Sequence, residues 1–136
     1  MVGDGGFQMT LAELATAQIH KRRVKCLVVN NNFLGMVRQW QQLFFENRLS
    51  GVDLEGNPDF VKLAQAYGVA AWRIKRPADV DRVLAKAQAY DEGPCLVVAE
   101  VVKEDNVFPM FPAGASLDEM LIERPKEKLE KPAGST

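Results

Sequence analysis

Val24-Lys25-Cys26-Leu27-Val28-Val29, followed at once by Asn30-Asn31-Asn32, is the stretch on which the fold turns. A continuous β-rich run ended by polar residues is the pattern of a strand buried on both faces of a parallel sheet and leading into a loop. Upstream, Phe7, Met9, Leu11, Leu14, Ala15 and Ile19 recur at three- and four-residue steps. That spacing predicts an amphipathic helix of about four turns. Downstream, Gly35 to Arg48 carries Met36, Val37, Trp40, Leu43 and Phe44 at helical spacing, and residues 49–58 form a Gly/Asp/Asn/Pro loop. A further helix is expected from about Asp59 to Tyr67, with Gly68 as its C-terminal cap. Val69 to Ile74 reads as a strand, Pro77 opens a helix over Ala78 to Ala89, and Cys95 to Val102 is a last apolar strand. Strands alternating with helices define the α/β class, a mostly parallel sheet flanked by helices on both faces. Ligands of such sheets bind beyond the C-terminal ends of the strands, which is where Asn30-Asn31-Asn32 lies.

Composition narrows the partners. The chain has 136 residues, 47% of them apolar, which suits one globular domain over residues 1–122. Seventeen basic and eighteen acidic residues nearly cancel, so no charge footprint points to nucleic acid or to an anionic membrane. No apolar stretch reaches the roughly 20 residues of a membrane span. Residues 123–136 mix charges with Pro125 and Pro132 and read as a disordered tail. Cys26 and Cys95 each sit in an apolar run and are expected to be free, buried thiols. The lone histidine, His20, reads as a solvated helix residue. Beyond Glu104 the pattern turns irregular, with a short amphipathic piece at Leu117 to Ile122.

Gly3-Asp4-Gly5-Gly6 opens the first helix, and Asn31 follows the next strand at a separation of 31 − 4 = 27 positions. One helix and one strand between them carry both ends to the same rim of the sheet. Glycines let a backbone approach a phosphate closely, and a helix N-terminus adds partial positive charge. A carboxylate and an amide oxygen are the hard donors that Mg²⁺ takes alongside phosphate oxygens and water. Gln8 stands where a dinucleotide fingerprint needs its third glycine, and no GKS/T loop occurs, so the common nucleotide motifs are disfavoured.

The pair resembles the GDG…NN signature of thiamine-diphosphate (ThDP) enzymes. The sequence around it is more specific: Gly3 to Met9, Leu34-Gly35-Met36-Val37-Arg38-Gln39-Trp40-Gln41, Asn57 to Ala64, and Phe108 to Ala115. Together these resemble the C-terminal ThDP-binding (PP-type) domain of the acetolactate synthase catalytic subunit, and the resemblance spans about Val2 to Ile122. It implies Mg²⁺ bound by Asp4, Asn31 and the main-chain carbonyl of Phe33, and cofactor contacts from Gly3, Asp4, Gly5, Gly6, Asn31, Gly35 and Met36. Met36, Trp40 and Ala113 are implied to line the substrate channel.

The implied activity is the condensation of two 2-oxo acids, pyruvate with pyruvate or with 2-oxobutyrate, with loss of CO₂, in branched-chain amino-acid synthesis. It also implies FAD on another domain, a catalytic glutamate from an N-terminal domain, a homodimer or homotetramer and a possible regulatory subunit. Location would be cytoplasmic, or organellar in a eukaryote. The chain opens within the motif, so a truncated and inactive piece is expected. The alternatives are another ThDP-dependent decarboxylase or carboligase, and a non-catalytic interaction fragment.

Overall fold

A computed structural model describes residues 1–123 of the chain. The expected disordered tail lies outside the described residues, apart from Glu123. The chain divides into two compact units, Met1–Phe33 with Asp53–Lys103, and Leu34–Val52 with the segment from Glu104 onward.

The first unit holds the sheet. Its strands are β1 (Val2–Gly3), β2 (Lys25–Asn30), β3 (Ala70–Ile74) and β4 (Cys95–Glu100), in spatial order β1-β2-β4-β3. All three pairings are parallel, with Val2 opposite Val28, Lys25 opposite Cys95 and Ala70 opposite Cys95. Its helices are α1 (Asp4–Gln8), α2 (Glu13–Ile19), α4 (Phe60–Ala66) and α5 (Val80–Ala89); the intervening α3 (Gly35–Phe44) belongs to the second unit.

Side chains alternate across a strand, and β4 uses both of its faces. Leu96 and Val98 join Phe7, Leu14, Val28, Phe60, Ala64 and Val69 in one apolar cluster, against α1, α2 and α4. Cys95 and Val97 join Ile74, Val83 and Ala87 in the other, against α5. Phe7 meets Phe60 edge-on at 5.4 Å between ring centres, a geometry worth about 1 kcal/mol beyond area burial. The strand buried on both faces is therefore β4, which is central. β2 was expected to be, yet only Val28 and Asn30 in it are fully buried, because its outer neighbour β1 is two residues long.

The first helix also departs from expectation. The four-turn pattern breaks into α1 and α2, joined by bonds from Thr10 N–H to Phe7, Glu13 to Thr10 and Leu14 to Leu11. These three-residue closures tighten the backbone, and they leave Met9 83% exposed. α4 begins as predicted: Asp59 accepts from the N–H groups of Val61 and Lys62 at 3.0 and 3.2 Å. It ends at Gly68, whose φ of +72° is the left-handed cap that glycine permits. Gln18 donates to the Gly68 carbonyl at 2.8 Å. A Cβ on Gly68 would lie 3.3 Å from the Gln18 amide nitrogen, and one on Gly93 would lie 3.4 Å from its oxygen. Pro77 opens a 3₁₀ turn, Pro77–Asp79, before α5. Both cysteines are free, Cys95 buried and Cys26 half-buried, and burial pushes both thiols up.

The second unit is built differently. α3 ends at Phe44, and Glu46 and Asn47 then take positive φ, which stops the helix short of Arg48. Its buried side chains are polar: Arg38, Gln39 and Gln42. Gln39 donates to the Val107 carbonyl and accepts from the Val107 N–H, both at 2.8 Å, and Asn106 donates to Gln42 at 3.0 Å. Met110 and Leu121 exchange two backbone bonds in an antiparallel bridge. The short piece at Leu117 is a 3₁₀ turn closed by a Ser116–Glu119 capping box. Leu117 and Ile122 are both largely exposed, so it has no buried apolar face.

Candidate functional site

The parallel register decides where the motif residues fall. Gly3 pairs with Val29, so Asp4 and Asn30 leave adjacent strands at the same rim, and Asn30 pairs onward with Glu100 at the end of β4. Asp4 is 2% exposed and Asn30 8%. A carboxylate this deep needs polar partners. The Asn57 amide supplies one, donating to Asp4 Oδ2 at 2.8 Å. The same nitrogen lies 3.2 Å from Asn32 Oδ1 and 3.3 Å from Asn30 Oδ1. Gln8 donates to the Asn57 side-chain oxygen.

A second chain of bonds fixes Asn30 from its other end. Its amide donates to Glu100 Oε2 at 2.7 Å, and Arg73 bonds Glu100 Oε1 at 3.1 Å while its other terminal nitrogen reaches Asp59. Partial burial raises the Asp59 carboxyl, but the Lys62 N–H, the Arg73 guanidinium and the Val61 N–H together outweigh it and hold the group below the ordinary carboxylate range. Asn30, Asn32, Asn57, Arg73 and Glu100 line a cavity of about 460 Å³ at this rim.

Of the residues singled out in the sequence, Gly3, Asp4, Gly5, Gly6, Asn31 and Phe33 all belong to this unit. A Cβ on Gly3 would meet nothing within 4 Å, so the backbone there faces open space. A Cβ on Gly6 would lie 3.3 Å from Val2, so Gly6 serves packing as well. Asn31 turns its side-chain oxygen to the Phe33 N–H at 3.0 Å, an Asx turn that shapes the loop after β2. The asparagines gathered around Asp4 are thus Asn30 and Asn32, by way of Asn57. Since α1 has only five residues, its dipole contributes less than the long helix expected from the sequence would.

Gly35, Met36, Trp40 and Ala113 belong to the second unit. Met36 is 54% exposed, and Trp40 stacks obliquely on Phe44 at 5.1 Å. Asn57 was invisible as a site residue in the sequence, where Gly56-Asn57-Pro58 reads as turn composition. Only the return of the chain toward the rim before α4 exposes it.

The donor set suits a small hard cation. Among the described residues no three His, Cys, Asp or Glu side chains cluster, so a cation here would rest on one carboxylate and neutral oxygens. Mg²⁺ is commonly held in this way when phosphate oxygens and water complete its shell. Among the described residues no helix is long and apolar enough to cross a membrane.

Comparison with known proteins agrees with this geometry. Residues 1–99 match the family described as thiamine pyrophosphate enzyme, C-terminal TPP binding domain. The chain is 44% identical over 126 residues to acetolactate synthase of Mycobacterium avium, covering 90% of this chain and 20% of that one. It is 42% identical over 119 residues to the acetolactate synthase isozyme 2 large subunit of Escherichia coli K12, covering 88% and 22%. With the mitochondrial acetolactate synthase catalytic subunit of Saccharomyces cerevisiae it shares 44% over 119 residues, covering 88% and 17%. The chain therefore spans about a fifth of the length of the curated relatives it matches. A crystal structure of benzoylformate decarboxylase from Polynucleobacter necessarius superposes with a TM-score of 0.68 at 26% identity, over 76% of this chain and 19% of that one. A parallel sheet with a buried aspartate at its C-terminal rim and a match over residues 1–99 lead to one conclusion: the chain belongs to the C-terminal TPP-binding domain family of thiamine pyrophosphate enzymes.

Proposed function

We propose that this chain is the C-terminal, Mg²⁺- and ThDP-binding portion of an acetolactate synthase, which condenses pyruvate with a second pyruvate or with 2-oxobutyrate and releases CO₂. The observation that carries the reading is Asp4, a buried carboxylate at the sheet rim, held there by the Asn57 amide that also meets the side-chain oxygens of Asn30 and Asn32. Asp4, the Asn31 side chain and the Phe33 main-chain carbonyl would hold the cation. The backbone of Gly3, Gly5 and Gly6 would take the diphosphate, with Gly35 and Met36 on the cofactor. Met36, Trp40 and Ala113 would line the path of the 2-oxo acids.

When bound, the cofactor supplies the electron sink that decarboxylation and carbon–carbon bond formation require. The catalytic glutamate and the FAD-binding domain are assigned to other parts of a longer protein, whose subunits would associate in pairs or fours, with a regulatory subunit as a further partner. Identities of 42–44% to acetolactate synthases, against 26% to a decarboxylase, favour this acceptor chemistry over simple decarboxylation. Calorimetric titration of ThDP into the chain should give weak heat that requires Mg²⁺, and pyruvate should be left unconsumed. Heat that ignores the metal would remove the cofactor reading, and pyruvate turnover by this chain alone would overturn the assignment of the missing carboxylate elsewhere.

A further inference from the structure

Carboxylate oxygens only accept, so the nitrogens of the two rim amides are forced to face them. Asn57 must point its Nδ2 at Asp4, and Asn30 must point its Nδ2 at Glu100. It follows that Asn30 Oδ1 faces Asn57, and that Asn57 turns its own oxygen toward the Gln8 amide. Every group in the row has one orientation. Three oxygens, from Asp4, Asn30 and Asn32, converge on one nitrogen that carries two hydrogens.

We infer that Asn57 is a positioning residue for the cation site: it ties Asp4 Oδ2 and would so leave Oδ1 to a cation, while Gln8 keeps the Asn57 amide from flipping. The inference rests on the reading of Asp4 as a cation ligand. Partners of this kind fix the orientation of a metal-binding group, and their loss weakens metal affinity about 10- to 100-fold.

The test uses the ¹⁵N-labelled 136-residue chain with Mn²⁺ as the probe, added in the presence of excess ThDP. Broadening of amide signals near Asp4 reports binding even at millimolar affinity. Asn57→Ala should bind Mn²⁺ at least about 10-fold more weakly than the parent, and Gln8→Leu should bind it a few-fold more weakly, as expected for a residue one step further out. Melting curves with and without Mn²⁺ separate positioning from simple packing. A packing role lowers both melting temperatures equally, whereas positioning shrinks the gain that the metal confers. Equal Mn²⁺ affinity in the parent and in Asn57→Ala, with Asp4→Asn impaired, would overturn the role of Asn57 and leave the cation reading standing. Loss of Mn²⁺ binding in the parent itself would remove both. If Asn57→Ala does not fold, an unchanged affinity in Gln8→Leu would still count against the inference.

Discussion

β4 and α3 bury their side chains by opposite rules. In β4, Cys95, Leu96, Val97 and Val98 are all buried, so the first four apolar residues of the run become core, while Val101 and Val102 beyond the strand are exposed. In α3 the apolar residues Met36 and Val37 are about half exposed, while Gln39 and Gln42 are buried. The difference lies in where backbone groups find partners. Parallel strands satisfy each other, so their side chains are free to be purely apolar. Among the described residues beyond Glu104 the backbone pairing is a single bridge, Met110 with Leu121, and Gln39 acts as a substitute strand by pairing with both the N–H and the carbonyl of Val107.

Three substitutions break that contrast, in falling order of effect. Phe60 is 2% exposed and packs on Phe7, so Phe60→Ala should cost about 3–5 kcal/mol in urea unfolding of the first unit. A loss under about 1 kcal/mol would mean that the β4 side of the comparison is wrongly drawn. Gln39→Leu keeps the volume but strands the Val107 N–H and carbonyl, at about 1–3 kcal/mol. Hydrogen exchange at the Val107 amide should speed up while the amides of β4 stay protected; unchanged exchange would show that apolar burial suffices there too.

Asp59→Ala removes the α4 cap and should cost about 1 kcal/mol. Acid probes the same contact. The Asp59 carboxyl is held low as described, and hydrogen bonds from Arg82 and Arg76 hold Asp79 low against a weaker push from burial. A depressed folded value means that the stabilisation is complete above the unfolded carboxylate range and fades as pH falls through the folded one, that is, below about pH 4. Acid titration of Asp59→Ala should show a shallower loss of stability over that range than the parent.

What could be read from the sequence follows the same division. The parallel sheet, the order of strands and helices, the helix start at about Asp59 and the Gly68 stop all come from periodicity and local backbone chemistry, and they stand where expected. The apolar stripe of α3 was legible as a stripe, but not as an exposed one, because burial there is decided by amide pairs 64 and 68 positions apart in sequence. The motif Gly3-Asp4-Gly5-Gly6 was legible from its residue types. Asn57 was not, since its partners Asp4 and Asn30 stand 53 and 27 positions away and no local period links them. The break between α1 and α2 also escaped, because a three-residue closure keeps nearly the same apolar spacing as a continuous helix.

Gln18 lies against two glycines, one capping α4 and one just ahead of β4, and its amide touches the space that a methyl group on either would take. Those three positions share a single volume. A side chain at Gly68 would press on the glutamine amide as well as strain the left-handed backbone, whereas a methyl group at Gly93 would meet the same amide at ordinary contact distance. Gly68 is therefore constrained by its own backbone first and by the glutamine second, while Gly93 and residue 18 are linked only by shared space, so the imprint of this contact should be sought in paired changes at 18 and 93.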